Sequence, residues 1–443
     1  MNSQPEDILR EIFKRCLDTD FPHVQPFRPT EAPMLLCRVC VLWRTIALTM
    51  SELWARLSVS IGREASEQPQ PNTDLIQLWI SRSNRQPLTL VLKDLGQRAN
   101  ITEAADRVLQ LFLLHIHRWQ SITLTLPNLA FPSVLAGLNS GAPALRIANL
   151  EFGIDPELQI HDSAKVAALT RLLTASSQLH TLYWQSDARA LQLISIHWAR
   201  LTVLDLVPVW WPMSAILCLM EQAPKLRSLS TLITDACPVV RPIVLPDLVI
   251  LWINCDADVG PFFKLLTVPS LQNFNMSRTN VRNPAPQTDV VRCLSRSGVQ
   301  LHVAIFTSLY LPSSEFIDFL RLSSSLQLLE ISNNGAATIT DEILRLLTPG
   351  DIPCLCPNLR IIRFLENSLS STDTFLSAMV AARRAPQAST AFPIALLSKL
   401  VVDFTEAELS KHAQDIHRLR TLEQTTGFRA WINEPETGIL IPE

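Results

Sequence analysis

From residue 145 the chain keeps restating one phrase, L-x-x-L-x-[apolar], and this recurrence constrains the fold more than any other feature. Clear copies open at Leu145, Leu179, Leu201, Leu226, Leu248, Leu271, Leu326 and Leu359, with looser ones near Trp119, Leu301 and Leu400. Successive first leucines lie 34, 22, 25, 22 and 23 residues apart from Leu145 to Leu271, then 30, 25 and 33 to Leu359. Leucine-rich repeats run roughly 20–29 residues, with one strand and one helix or turn in each. The short gaps fit that period, and the long ones imply inserted helices or loops. Between copies, 166–177 (VAALTRLLTASS) and 213–223 (MSAILCLMEQA) have helical spacing. Five copies carry proline two residues before the first leucine (Pro143, Pro224, Pro246, Pro269, Pro357). Proline there suits the end of a helix and the approach to a strand.

The pattern also divides inside from outside. Strand side chains alternate between faces, so when the second and third apolar positions point inward their neighbours line the opposite, concave face. That face takes Tyr183, Asp205, Trp252, Asn254, Asn275, Glu330 and Arg363. A parallel sheet lined by mixed polar and aromatic groups suits protein binding, with Tyr183 and Trp252 as the natural anchors. The charged stretch 406–424 has helical character and suits a polar cap on the stack.

The first sixty residues follow another rule. Behind Pro5, the residues Ile8, Leu9, Ile12, Phe13, Cys16 and Leu17 recur at helical spacing. A loop with three prolines follows at 20–29, and Thr30 then caps a second helix. On it, Leu35, Val39, Leu42 and Ile46 make one stripe, and Leu36, Cys40, Trp43 and Ala47 a second beside it. Together they cover about half the circumference, wider than the apolar face of a surface helix. Ser51 caps a third short helix with Leu53, Trp54 and Leu57. Three short helices cannot hide all these groups among themselves, so the surplus needs the rest of the chain or a partner. Trp54 reads as core.

These segments resemble the F-box domain, in the version common in mushroom-forming fungi. The residues that carry the likeness are Pro5, the pair Ile8-Leu9, the run Val39-Cys40-Val41-Leu42-Trp43-Arg44, the pair Leu53-Trp54 and the following LIQLWISRSNRQPLTLVL at 75–92. Gln4 stands where the family pattern has leucine. The resemblance implies docking on a Skp-type adaptor and, through it, on a cullin ubiquitin ligase. Pro5, Ile8, Leu9, Ile12, Val39, Cys40 and Trp43 would supply the apolar contact. Many F-box proteins carry a leucine-rich-repeat tail, which would hold the target protein. The alternative is a leucine-rich-repeat scaffold with no ligase role.

The expected fold is therefore α/β, an F-box-like three-helix bundle followed by an irregular leucine-rich-repeat solenoid with parallel strands inside and helices outside. The expected boundaries are 1–60 for the bundle, 61–95 for a linker with the first helix and strand, 96–405 for the solenoid and 406–443 for the cap.

Composition closes off other classes. With 47% apolar and 18% charged residues, the 443-residue chain is rich enough in core formers to fold as a soluble protein. A net charge of −3 leaves no basic footprint for nucleic acid or anionic lipid. The uncharged stretch 119–145 is broken by Pro127, Pro132 and Pro143, which suits strands and loops rather than a membrane helix. Glycine is scarce, at 11 residues, and no phosphate-cradling motif occurs. Nine cysteines without a regular spacing point to a reducing compartment, cytoplasmic or nuclear. Cys37-x-x-Cys40 lacks a second pair at zinc spacing and reads as two small core residues, while His115-x-His117 lacks a carboxylate partner. No catalytic motif, metal site or cofactor site is expected, and the chain reads as an adaptor rather than an enzyme.

Overall fold

The computed structural model describes residues 5–17, 30–62, 72–95, 103–127, 136–152, 163–186, 191–192, 194–235, 237, 241–279, 288–309, 311–332, 339–350, 354–366, 368–385 and 394–432. Gln4, the proline loop at 20–29 and the end of the expected cap, 433–443, lie outside the described residues. The architecture is mixed α/β, with parallel strands and intervening helices in two compact units, Met1–Val209 and Trp210–Glu443. The expected boundary at residue 60 is not one of compactness. Strand Arg56–Gly62 leaves the helical segment directly and pairs along its length with Leu88–Leu95.

The first unit opens with α1 (Glu6–Arg15), α2 (Leu36–Val39), α3 (Val41–Thr49) and a single turn of 3-10 helix, Ser51–Trp54. The sequence reads α2 and α3 as one helix, but the chain breaks at Cys40, whose backbone is extended (φ −158°, ψ 172°). Two causes act there. Val39 and Val41 are β-branched and weak helix formers, and the Cys40 thiol accepts the Trp43 N–H at 3.4 Å, capping the helix that follows. Phe13, Leu36, Ile46, Ala47, Leu53 and Trp54 form the core of this segment. The Trp54 indole donates to the Ala47 carbonyl (2.8 Å) and meets Trp79 edge-on at 4.9 Å, so Trp54 is a core residue as expected.

In the rest of the first unit, Arg56–Gly62, Leu88–Leu95, Trp119–Leu126, Ile147–Phe152, Thr181–Gln185 and Val203–Trp211 pair in chain order, each parallel to the next. In the second unit, Ser228–Ile233, Ile250–Cys255, Asn273–Arg278, Val303–Thr307, Leu328–Ser332, Ile361–Leu365, Lys399–Val402 and Arg429–Ile432 do the same. Helices separate most successive strands, the usual form of a parallel connection; between Ser228–Ile233 and Ile250–Cys255 the described residues hold only the short strand Ile243–Val244. Ser163–Ala175 and Met213–Gln222 are helical where the sequence spacing predicts it.

The repeated phrase maps onto this order with one constant offset. Each of the paired strands named above from Ile147 to Ile361 begins two residues after a leading leucine, from Leu145 before Ile147 to Leu359 before Ile361. The leading leucine closes a turn: the Leu145 N–H donates to Ala142 O, Leu226 to Ala223 O and Leu271 to Val268 O. The recurrent proline occupies the second position of that turn, where its fixed φ costs nothing. The leading leucine and the third and fifth residues after it are buried in every copy, as in Leu179, Leu182 and Trp184 or Leu271, Phe274 and Met276. The L-x-x-L-x-[apolar] pattern is thus the imprint of a core on one turn and one short strand.

Within the second unit, Phe263, Phe274, Phe306 and Phe319 pack edge-to-face in series, with centroids 6.0, 5.7 and 5.0 Å apart. Phe274→Ala removes the middle of that series and should destabilise the chain by about 3–5 kcal/mol. Denaturant unfolding checks this, and a loss below about 1 kcal/mol contradicts the packing account.

Candidate functional site

The strongest surface feature lies on the three N-terminal helices. Ile8 (49% exposed) and Ile12 on α1, Leu35 and Val39 (53%) beside and on α2, and Val41 (79%) and Leu42 on α3 are all large, apolar and exposed. Pro5, at the N-cap of α1, is exposed as well. Cys40 and Trp43 are half-buried, and the Trp43 ring rests edge-on against Phe13 at 5.0 Å. Of the residues expected at a partner surface, Leu9 alone is buried (3% exposed). It belongs to the core, because α1 carries Leu9 and Phe13 one turn apart on the face turned inward. Leu35, Val41 and Leu42 are exposed apolar residues beyond the seven expected at the partner surface, and Leu35 and Leu42 lie on one of the two apolar stripes read from the sequence. The break at Cys40 turns Val41 away from the register that a continuous helix would give it.

Charged pairs flank these groups. Arg10 reaches Glu6 at 2.7 Å and Lys14 approaches Glu52 at 3.7 Å. Both are exposed and contribute little to stability; they make a polar surround for an apolar patch. Six exposed large apolar side chains gather on this short segment, and exposed apolar groups gathered in this way mark interaction surfaces.

The sheet faces hold the other expected residues, in two groups. In the first unit Tyr183 and Asp205 are direct register partners on adjacent strands, and both are half-buried. Burial raises the Tyr183 hydroxyl above its usual range, and the Asp205 charge adds to the shift. Burial likewise raises the Asp205 carboxyl, opposed by the Val207 N–H that it accepts at 3.0 Å.

In the second unit one line of registered residues runs Ser230, Trp252, Asn275, Ile305, Glu330, Arg363, Val401 and Trp431. Asn254 sits one step along, paired with Ser277. Trp252, Asn254 and Asn275 are half-buried, their side chains alternating with buried Leu251, Ile253, Phe274 and Met276. Arg363 departs from its expected role. It is buried, and its guanidinium pairs with the Glu330 carboxylate at 2.9 Å. Each neutralises the other, so neither offers a free charge to a target.

Among the described residues one group has metal-ligand spacing, Asp373, His412 and Asp415, with candidate ligand atoms within 4.8 Å of one another. Its hydrogen bonds assign it another job. Asp373 accepts the Gln414 and Asp415 N–H groups at 3.2 and 2.9 Å, capping helix Ala413–Thr426. Asp415 returns the favour to helix Phe375–Arg384 by accepting the Ser377 N–H at 2.7 Å, and its other oxygen lies 3.0 Å from His412 Nδ1. The carboxylates are spent on two helix N-termini that cap each other.

Three thiols within the repeats, Cys255, Cys293 and Cys356, are set deep. Burial pushes Cys255 and Cys356 up to about 12 and Cys293 up to about 11, against the opposing pull of Arg278, Arg383 and Arg296 respectively. Such thiols are inert.

No family model matches the chain, and no curated protein matches it. No helix among the described residues is long and apolar enough to cross a membrane.

Proposed function

We propose that the chain is a substrate-recognition adaptor: its N-terminal helices are an F-box that docks on a Skp-type adaptor of a cullin ubiquitin ligase, and its repeats hold a target protein. One observation carries the reading, the exposed apolar set Ile8, Ile12, Val39, Val41 and Leu42 on helices whose own core is already filled. An F-box resembling this segment uses such a surface, and Pro5, Ile8, Ile12 and Val39 stand open on it. The repeat strands, leucine-rich-repeat-like in their offset and burial, offer Tyr183, Trp252, Asn254 and Asn275 as target contacts. The chain then contributes proximity: it raises the effective concentration of a target near transfer machinery carried by other subunits.

A pull-down with recombinant Skp-type adaptor tests the proposal. The intact chain binds under conditions where a reference F-box protein binds, and Trp252→Ala leaves that binding unchanged. Absence of binding by the intact chain in that comparison overturns it, in favour of a repeat scaffold with no ligase role.

A further inference from the structure

The sequence motif left unused above is Cys37-x-x-Cys40, whose residues are only partly buried rather than the core residues the sequence suggests. Both thiols are half-buried and free. Cys40 sits at the break between α2 and α3, between Val39 and Val41, the two most exposed apolar residues of the N-terminal surface. Its sulfur caps α3 by accepting the Trp43 N–H at 3.4 Å. Arg38 and Val39, whose torsions set the separation of the two cysteines, are both helical. A helix of 1.5 Å rise and 2.3 Å radius brings Cα atoms three residues apart to about 5 Å. That lies inside the roughly 4.4–6.8 Å window for a disulfide.

We propose that Cys37 and Cys40 are a reversible oxidation site that remodels the apolar surface around them. With hydrogen peroxide as oxidant, the Cys40 sulfur attacks one peroxide oxygen. An S–O bond forms, the O–O bond breaks, one water leaves and Cys40 becomes a sulfenic acid. The Cys37 sulfur then attacks that sulfur; the S–S bond forms, the S–O bond breaks and a second water departs. Two thiols are oxidised by two electrons in total, the peroxide is reduced, and both thiol protons end in water. Burial raises the Cys37 thiol, opposed by Arg82 and Arg44; the same disulfide forms, with the same balance, if the two sulfurs exchange roles. Once bonded to Cys37, the Cys40 sulfur is turned back toward α2 and no longer accepts from Trp43. The first turn of α3 loses its cap, and Val39 and Val41 lose their fixed setting. A consequence for adaptor docking rests on the function proposed above; the disulfide and the loss of the cap do not.

The experiment uses the full chain, treated with hydrogen peroxide, then alkylated and mapped by peptide mass. A Cys37–Cys40 disulfide is expected, reversed by thiol reductant and absent from Cys37→Ser and Cys40→Ser. Serine is itself a good helix N-cap, so Cys40→Ser retains the fold. In the oxidised wild type the amides of Leu42, Trp43 and Arg44 exchange about five- to ten-fold faster, the size of effect that losing a cap produces. Adaptor affinity falls by a similar factor in the oxidised wild type and not in Cys37→Ser. The inference is overturned if both thiols remain alkylatable after peroxide, if the bond joins either one to Cys16, or if α3 exchange is unchanged by oxidation. Failure of the reduced chain to bind adaptor would count against the proposed function alone, because mapping and exchange still decide this inference.

Discussion

Ile8→Asp and Val39→Asp each lower affinity for a Skp-type adaptor by at least about 100-fold while leaving the unfolding midpoint in place. Both side chains are exposed in the free chain, and exposed substitutions usually change stability by less than about 0.5 kcal/mol. Docking would remove from water the half of each that is still exposed, a gain of about 1 kcal/mol. Aspartate forfeits that gain and adds the cost of burying an unpaired carboxylate. Together these exceed the roughly 2.7 kcal/mol that corresponds to 100-fold. Leu9→Asp behaves differently. Leu9 is part of the helical core beside Phe13, so the change unfolds the N-terminal helices and tests stability rather than docking. Calorimetric titration of each variant, paired with denaturant unfolding, separates the two cases. Ile8→Asp or Val39→Asp binding within about three-fold of wild type contradicts the assignment of the interface.

Arg383→Leu destabilises the chain by about 3 kcal/mol or more, a loss that denaturant unfolding measures. The Arg383 side chain is wholly buried near the C-terminal end of helix Phe375–Arg384. Its guanidinium donates to Leu347 O at 2.7 Å, Leu355 O at 2.8 Å and Cys356 O at 3.2 Å, and to Cys354 Sγ at 3.1 Å. One planar group thus reaches the last carbonyl of helix Asp341–Leu347 and two carbonyls of the turn that follows, which otherwise have only the Cys354 thiol and the Leu359 N–H as donors. Burial lowers its affinity for the proton, the neighbouring thiols Cys354 and Cys356 oppose the shift, and arginine stays charged regardless. Leucine fills part of the volume but removes four charge-assisted hydrogen bonds, worth about 1.5–3 kcal/mol each, and leaves Leu347 O and Leu355 O with only the weak Cys354 thiol as donor. Arg383→Lys keeps the charge yet cannot reproduce the fork, and it recovers only part of the loss. Stability of Arg383→Leu within about 1 kcal/mol of wild type rules out this role.

Much of the fold was legible because its determinants are local. A leading leucine, a turn and alternate apolar residues repeat within nine residues, and the strand that begins two residues after Leu145 or Leu271 follows from that spacing alone. The Trp54 core assignment was equally local, since Ala47 lies one element away. The break at Cys40 was hidden because apolar stripes continue through it; only the thiol's hydrogen bond and the flanking valines mark it. The burial of Arg363 was hidden for the opposite reason. Its partner Glu330 stands 33 residues earlier, on the neighbouring strand, and no pattern in sequence announces a cross-strand ion pair at that range. Leu9 and Ile8 are adjacent and alike in chemistry, and only the packing of Phe13 against Trp43 decides which of them turns inward.

The proposed function depends on apolar groups of α1 to α3 being left for another polypeptide. Hydrogen–deuterium exchange of the full chain, with and without a Skp-type adaptor, tests this most directly. Protection concentrated in α1 to α3, with the strand Ile250–Cys255 unchanged, is the expected result. Exchange in those helices that is indifferent to saturating adaptor contradicts it.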